Sequence, residues 1–286
     1  MENPASSGCN LSLRHYDDAP KITKQRNPVR GGFACRHAPS FLEDTMAYST
    51  DRTSPQIYAR TAGALYLIVI VFGIGAELFI RANILAAGDA STTAANILRS
   101  GSLFRLGFAG DSIVFLADVA IAVLLFFLLA PVNKTLALIA AGFRLTQTAV
   151  LASNLLNHHA ALELLDSPAY ASAFSPEQLQ ALSLHALEMH GYGYDLALLF
   201  FGLSCLVLGW LIARSGYLPR PLGLLVFLAG IAYLIGSYTL FLFPDFRSNI
   251  EPIYIVPLIS EIALCLWLLI RGVNVERWRS HVEATG

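Results

Sequence analysis

Apolar residues in this chain gather into long unbroken blocks. They show neither the alternation of a half-buried strand nor the narrow stripe of a surface helix. Six blocks are long enough to cross a bilayer as helices, which takes about 20 apolar residues each. They run over Ala62–Ile80, Gly107–Ala130, Leu136–Leu156, Asp195–Ala213, Leu222–Phe243 and Tyr254–Ile270. The fold class that follows is all-α: a polytopic membrane helical bundle of six transmembrane helices with short helices on its outer face. The expected layout is a six-helix domain over 58–273 and a short cytoplasmic tail over 274–286.

Residues 1–50 break the pattern. They are polar, mixed in charge and aperiodic, which predicts a disordered tail. Met46 opens "MAYSTDRTSPQIYARTAG", which reads as a natural start, so the first 45 residues are expected to be an overrun of the true start. The first block is too long, and too far from the terminus, for the h-region of a cleavable signal.

Between the blocks, two segments carry helix signals. In "GDASTTAANILRSG", Asp89 is placed to cap a short helix that Gly101 would end. In "SPEQLQALSLHALEMH", Ser175, Pro176 and Gln178 supply an N-cap, a first-turn proline and a capping-box partner. That helix sets Leu179, Leu182, Ala186 and Met189 on one side and either lies on the surface or runs on into the fourth span. Other connections are short: "PVNKT" and "RSGYLPRP" make tight helical hairpins. Pro244, Pro252 and Pro257 bend the approach to the sixth.

Composition agrees with the pattern. Of 286 residues, 55% are hydrophobic and 14% charged, against about 25% charged in soluble domains. A net charge of −1 gives no electrostatic footprint for nucleic acid. The four cysteines form no framework, since Cys9 and Cys35 lie in the polar tail and Cys205 and Cys265 in apolar runs. Orientation is read from Lys and Arg near the span ends. With the N-terminus inside, eight cations (Arg52, Arg60, Lys134, Arg214, Arg220, Arg271, Arg277, Arg279) face four (Arg81, Arg99, Arg105, Arg247). The segment 160–193 holds no Lys or Arg. Both termini are expected in the cytoplasm.

The chemistry lies in the polar residues within the blocks, because a charge at the bilayer centre costs roughly 2.5–3.5 kcal/mol on insertion scales and must find protein or water. Asp118 and Arg144 stand about 13 residues either side of the turn between spans two and three, which at ~1.5 Å per residue sets them at one height near the midplane. An ion pair is the simplest way to hold both. Arg144, Gln147, Asn154 and His158 share one face of span three, and Asp111 shares a face with Asp118 on span two. Glu77, Asp111, Asn154, His158 and Asp195 fall within ~10 Å of the outer boundary and Glu261 within ~15 Å by the same rise.

These positions predict an outward-facing polar cup with the Asp118–Arg144 pair as its floor. Its ligand-facing residues are Glu77, Asp111, Asn154, His158, His190, Asp195 and Glu261. His190 and Asp195 lie about 140° apart on a helix, so Gly191 and Gly193 would have to break it for both to reach one ligand. An equally simple reading makes these groups helix glue, worth ~0.6 kcal/mol per contact.

No catalytic residue, metal site or cofactor is implied. His158, His190, Asp195 and Glu261 are ligand types without metal-site spacing. His185 and Glu188 read as a solvated face. Ser204 and Cys205 sit in an apolar run without a nearby base, and no G-x-S-x-G is present. Gly202/Gly209 and Gly223/Gly230 suggest close helix contacts. No internal repeat or matched broken helices point to an inverted-repeat transporter.

The phrases "RTAGALYLIVIVFGIGAELFIR", "LFRLGFAGD", "APVNKTLALIAAGFRLTQ", "HGYGYDLALLFFGL" and "RSGYLPRPLGLLVFLAG" resemble the bacterial membrane family called domain of unknown function 4386, over roughly residues 58–273. The resemblance implies a six-helix inner-membrane protein and supplies no activity, substrate or site residue. Three functional readings stay open. One is a non-enzymatic protein whose partners are the lipid bilayer and a small ligand, ion or lipid headgroup in the cup. The others are an intramembrane, metal-dependent hydrolase and an assembly subunit without a ligand.

Overall fold

The computed structural model describes residues 54–285; the tail over 1–50 and the reading of Met46 as a start lie outside them. Among the described residues every regular element is helical. Six helices are long and apolar enough to cross a membrane: α1 (Pro55–Ile84), α3 (Gly101–Leu129), α4 (Lys134–Asp166), α6 (Pro176–Ser215), α7 (Arg220–Leu242) and α8 (Glu251–Arg271). Shorter helices are α2 (Ala90–Arg99), α5 (Pro168–Ala173) and α9 (Val275–Thr285). The chain is therefore a membrane protein.

Each span packs on its neighbour in sequence, and α8 closes on α1, so the six form a ring. The ring is apolar outside and partly polar within. Leu116 and Phe79 are 73% and 69% exposed, as lipid-facing residues must be, whereas Asp111, Asp118, Arg144, Gln147 and Asn154 are buried. Only such a distribution keeps ionisable groups out of hydrocarbon.

Local chemistry sets the ends. The side chains of Asn133 and Asp89 accept from the backbone N–H groups of Leu136 and Thr92, capping α4 and α2. Ser175 and Gln178 close a full capping box on α6, and Gly216, at φ 69°, ends it in the left-handed conformation. Gly101 does not end α2: Ser100 follows the last turn and Gly101 begins α3.

The two hairpin turns, Ser54 and α9 share one face of the ring, here the hairpin face. The opposite, loop-rich face carries α2, α5 and the Pro244–Tyr254 turns. On the hairpin face the segment after 273 is helical, and Trp278 Nε1 and Tyr217 Oη both donate to the Leu128 carbonyl, at 2.9 and 2.7 Å.

The helix expected before the fourth span continues into it without a break. Its 40 residues reach about 60 Å, twice the ~30 Å hydrocarbon thickness. Together with α4, of 33 residues, it projects beyond the bilayer on the loop-rich face. There Ile84, Ile97, Phe104, Ala161, Leu162 and Ala186 build a small second core. The face that α6 buries in this extension holds Leu179, Ser183, Ala186 and His190; Leu182 and Met189 are exposed. His185 and Glu188 are exposed as well.

Glycines set a close crossing of α6 and α7. A Cβ on Gly209 would stand 2.5 Å from Phe227 N, and one on Gly223 2.5 Å from Ala213 N. A Cβ on Gly230 would stand 2.7 Å from Gly202 O. The four glycines let α6 and α7 meet backbone to backbone, the small-residue packing that membrane helices use in place of a hydrophobic drive.

Candidate functional site

At the midplane of the ring Arg144 and Asp118 form an ion pair across α4 and α3. Arg144 Nε donates to Asp118 Oδ1 at 2.9 Å, and Nη2 donates to the same oxygen. The Thr148 hydroxyl lies 2.7 Å from Oδ2. The third guanidinium nitrogen, Nη1, donates to Tyr66 Oη of α1 at 2.5 Å. The guanidinium carbon also sits 4.9 Å and 5.0 Å from the ring centres of Tyr66 and Phe201. Four helices thus share one cation, with its charge matched and each of its three nitrogens hydrogen-bonded.

Above the pair, at the loop-rich end, lies a cavity of about 540 Å³. Its polar border comes from α1 (Glu77, Arg81), α3 (Asp111), α4 (His158), α6 (His190, Tyr194, Asp195) and the turn before α8 (Arg247). Ile74, Phe104, Val114 and Phe115 supply apolar wall. A second cavity of about 570 Å³ adjoins it between α6, α7 and α8, bordered by Tyr233, Glu251, Tyr254 and Glu261. Glu77, Tyr194, Asp195 and Arg247 border both.

Glu77 and Arg81 bracket a change of helix type near the end of α1. Residues Glu77–Arg81 form a π-helical turn, a widened turn of the kind that marks functional segments of helices. Arg81 Nη2 donates to the buried Asp111 at 2.6 Å, and its Nη1 lies 3.4 Å from Glu77. One cation therefore ties α1 to α3 across the cavity wall.

The two histidines are held by carbonyl oxygens. His190 Nδ1 lies 3.2 Å from Asn154 O, while Asn154 Nδ2 donates to His190 O at 2.7 Å. Gly193 abuts the Asn154 amide, and a Cβ there would overlap it. The glycine serves close packing of α6 on α4, not a break. His158 Nε2 lies 3.1 Å from Phe104 O, and its ring stacks on Phe104 with centroids 3.9 Å apart.

This geometry rearranges the predicted cup. Glu77, Asp111, His158, His190 and Asp195 border the first cavity together. His190 and Asp195 do so from an unbroken helix, because the hollow is wide enough to meet both sides of α6. Asn154 is not on its border; its amide is spent on the α4–α6 contact. Glu261 belongs to the second cavity, where Tyr233 Oη donates to its carboxylate. Asp118 and Arg144 do not border this cavity, whereas Val114 and Phe115 do. Among the described residues, no three His, Cys, Asp or Glu side chains gather as a metal-ligand set.

Sequence reasoning missed Arg81, Arg247 and the tyrosines Tyr194, Tyr233 and Tyr254. Arg81 was legible: it follows Glu77 by four residues, the spacing of a helical ion pair, yet it was read only as a marker of topology. Tyr233 and Tyr254 carried no signal, because aromatic residues in apolar spans are ordinary.

Six lipid-crossing helices around a charged hollow define a polytopic membrane protein. Its sequence matches the family model described as Domain of unknown function (DUF4386) over residues 61–272, and the chain belongs to that family. An Archaeoglobus fulgidus relative, named "Uncharacterized protein", is 29% identical over 163 residues, covering 57% of this chain and 82% of its own length. No solved structure matches the chain.

Proposed function

We propose that this protein binds a small ligand, ion or lipid headgroup in the cavity at its loop-rich end, within a bacterial cytoplasmic membrane. Both termini lie in the cytoplasm and the cavity faces outward. The observation that carries the reading is the convergence of Glu77, Arg81, Asp111, His158, His190 and Asp195, from four helices, on one hollow of about 540 Å³. That size lies within the usual range of small-molecule pockets, about 300–1,000 Å³. Polar groups serving only as glue close on one another, as Asn154 and His190 O do; Glu77, Arg81 and Asp111 are paired yet also border a space. The hydrolase reading has less to draw on, since Ser204 donates to Ala140 O within the core.

Gly73 and Gly191 both border the cavity, and a Cβ on either meets nothing within 4 Å. Gly73→Phe and Gly191→Phe therefore fill the space without a backbone clash. Thermal unfolding in nanodiscs, with a panel of cationic, anionic, neutral and zwitterionic small molecules and lipid headgroups, tests the reading. A compound that raises Tm of the parent protein and not of the filled variants supports it. If nothing in the panel does so, the polar groups are glue. For orientation, a membrane-impermeant maleimide on intact cells should label Ser172→Cys and spare Ser280→Cys; the reverse pattern inverts the topology.

A further inference from the structure

We propose that Glu261 is a proton-exchange site in the middle of the membrane, reached by water from the loop-rich face through the second cavity. The proposal concerns that cavity and holds whether or not the first takes a ligand. Glu261 stands midway between Glu251 and Arg271, the two ends of α8. At ~1.5 Å per residue that places it about 15 Å from either end, near the bilayer centre. A carboxylate at such depth needs a cation beside it or a proton on it.

No cation serves it. Among the described residues Glu261 forms no ion pair. Arg144 is the cation at its height, and all three of its guanidinium nitrogens are taken by Asp118 and Tyr66. Phe201 contacts both groups: its ring centre is 5.0 Å from the Arg144 guanidinium carbon and 5.2 Å from the Tyr233 ring. Arg247 borders the same cavity from the turn before α8 and forms no pair with Glu261. From α1, Tyr66 is spent on Arg144 and Glu77 brings another acid to the border.

One donor does reach the carboxylate. Tyr233 Oη of α7 donates to Oε1, and Oε2 accepts from no described residue. A proton on Oε2 keeps the tyrosine bond and removes the charge.

The cavity supplies the route. Its volume is about 570 Å³, and Glu251 and Arg247 on its border are exposed. Asp195, also on the border, stands twenty residues from Ser215 at the hairpin end of α6, ~30 Å away and so near the opposite membrane boundary. Tyr254 Oη lies 3.4 Å from Asp195, and the Tyr254 and Tyr233 rings are 6.1 Å apart between centroids. Carboxyl and hydroxyl groups thus line the cavity from the boundary down to Glu261, and water among them can pass a proton along.

The test is modification by dicyclohexylcarbodiimide in nanodiscs at pH 6 and pH 9, with the adduct located by peptide mass spectrometry. This apolar reagent reacts with the protonated carboxyl: the O–H proton passes to one carbodiimide nitrogen as the carboxyl oxygen bonds to the central carbon. Glu261 should be labelled at least tenfold more at pH 6 than at pH 9. Infrared difference spectra over the same range should show a carboxylic C=O band, which a carboxylate lacks, lost on raising the pH and missing from Glu261→Gln. Glutamine keeps an acceptor for Tyr233 Oη, so Tm of this variant should stay within a few degrees of the parent. If the variant does not fold, labelling of the parent decides alone, because it reads Glu261 directly. Absence of both label and band overturns the proposal and leaves Glu261 an ionised partner of Tyr233. A label or band unchanged from pH 6 to pH 9 overturns exchange, since the proton is then sealed in. Suppression of the label by sodium chloride, against equal choline chloride at one pH, gives the site to a metal cation and overturns the proton assignment as well.

Discussion

Removing Asp118 should damage this protein more than removing Asp118 and Arg144 together. The carboxylate accepts both Arg144 Nε and Nη2 and lies within hydrogen-bonding distance of the Thr148 hydroxyl. Its side chain is 7% exposed and that of Arg144 3%. Asp118→Ala leaves a guanidinium among Tyr66, Phe201 and the helix backbones, with one hydroxyl acceptor. Breaking a buried ion pair on one side costs about 3–5 kcal/mol, whereas replacing both members with apolar groups of similar volume is neutral or stabilising in several proteins. An ordinary interhelical hydrogen bond in a membrane averages only ~0.6 kcal/mol, so the uncompensated charge dominates. At about 2–4 °C per kcal/mol for a chain of this size, Asp118→Ala should lower Tm by roughly 6–20 °C. Asp118→Leu with Arg144→Met should recover most of that loss. Fluorescence-detected size-exclusion chromatography after heating in detergent compares the parent, Asp118→Leu, Arg144→Met and the double variant, the four corners of the cycle. Additive losses within about 0.5 kcal/mol would refute the pairing as an energetic unit.

The other consequences are smaller in scale. Gly209→Ala places a methyl 2.5 Å from Phe227 N and should cost about 1–3 kcal/mol by overpacking; Gly142→Ala, where a Cβ meets nothing within 4 Å, should be neutral or stabilise by about 0.5–1 kcal/mol, and parallel thermal melts compare them. Hydrogen bonds from Thr92 and Ser91 hold the Asp89 carboxylate down to about 2, below its usual range. Its capping of α2 should be complete above the ordinary carboxylate pKa near 3.8 and vanish as pH falls through about 2. Hydrogen exchange of the α2 amides between pH 5 and 2 follows this, and a midpoint near 4 would contradict it. Asn154→Leu removes the bond to His190 O and should lower stability by about 1 kcal/mol while leaving cavity binding within threefold; a larger loss of affinity than of stability would put Asn154 back in the site.

Much of this was readable from the chain because the membrane enforces it. Asp118 and Arg144 could be paired by counting residues from a turn, since a helix fixes height and the cost of an unpaired charge fixes partnership. Gly202, Gly209, Gly223 and Gly230 were legible for the same reason. Counting gave height but not azimuth beyond one helix. Asn154 and His158 therefore looked alike on one stripe, and only the packing of Gly193 on the Asn154 amide separates them. Glu261 shares the depth of the cup, but the place of α8 in the ring, between α7 and α1, assigns it to the second cavity. The run from Ser175 into the fourth span left its continuity open, because Gly191 and Gly193 read equally well as a break and as a close contact. Arg81 shows the reverse error: its partner spacing was on the page, and a rule about topology absorbed it.

The central claim is that polar groups from separate spans meet in a water-filled hollow inside the ring. Val114 borders that hollow, and Leu116, two residues along the same helix, faces lipid. Thiols react with methanethiosulfonates as thiolates, which need water. In a background with Cys9, Cys35, Cys205 and Cys265 replaced by alanine, Val114→Cys should react with a water-soluble methanethiosulfonate and be protected by Gly191→Phe, while Leu116→Cys stays inert. An inert Val114→Cys, or equal labelling of both positions, would contradict the account.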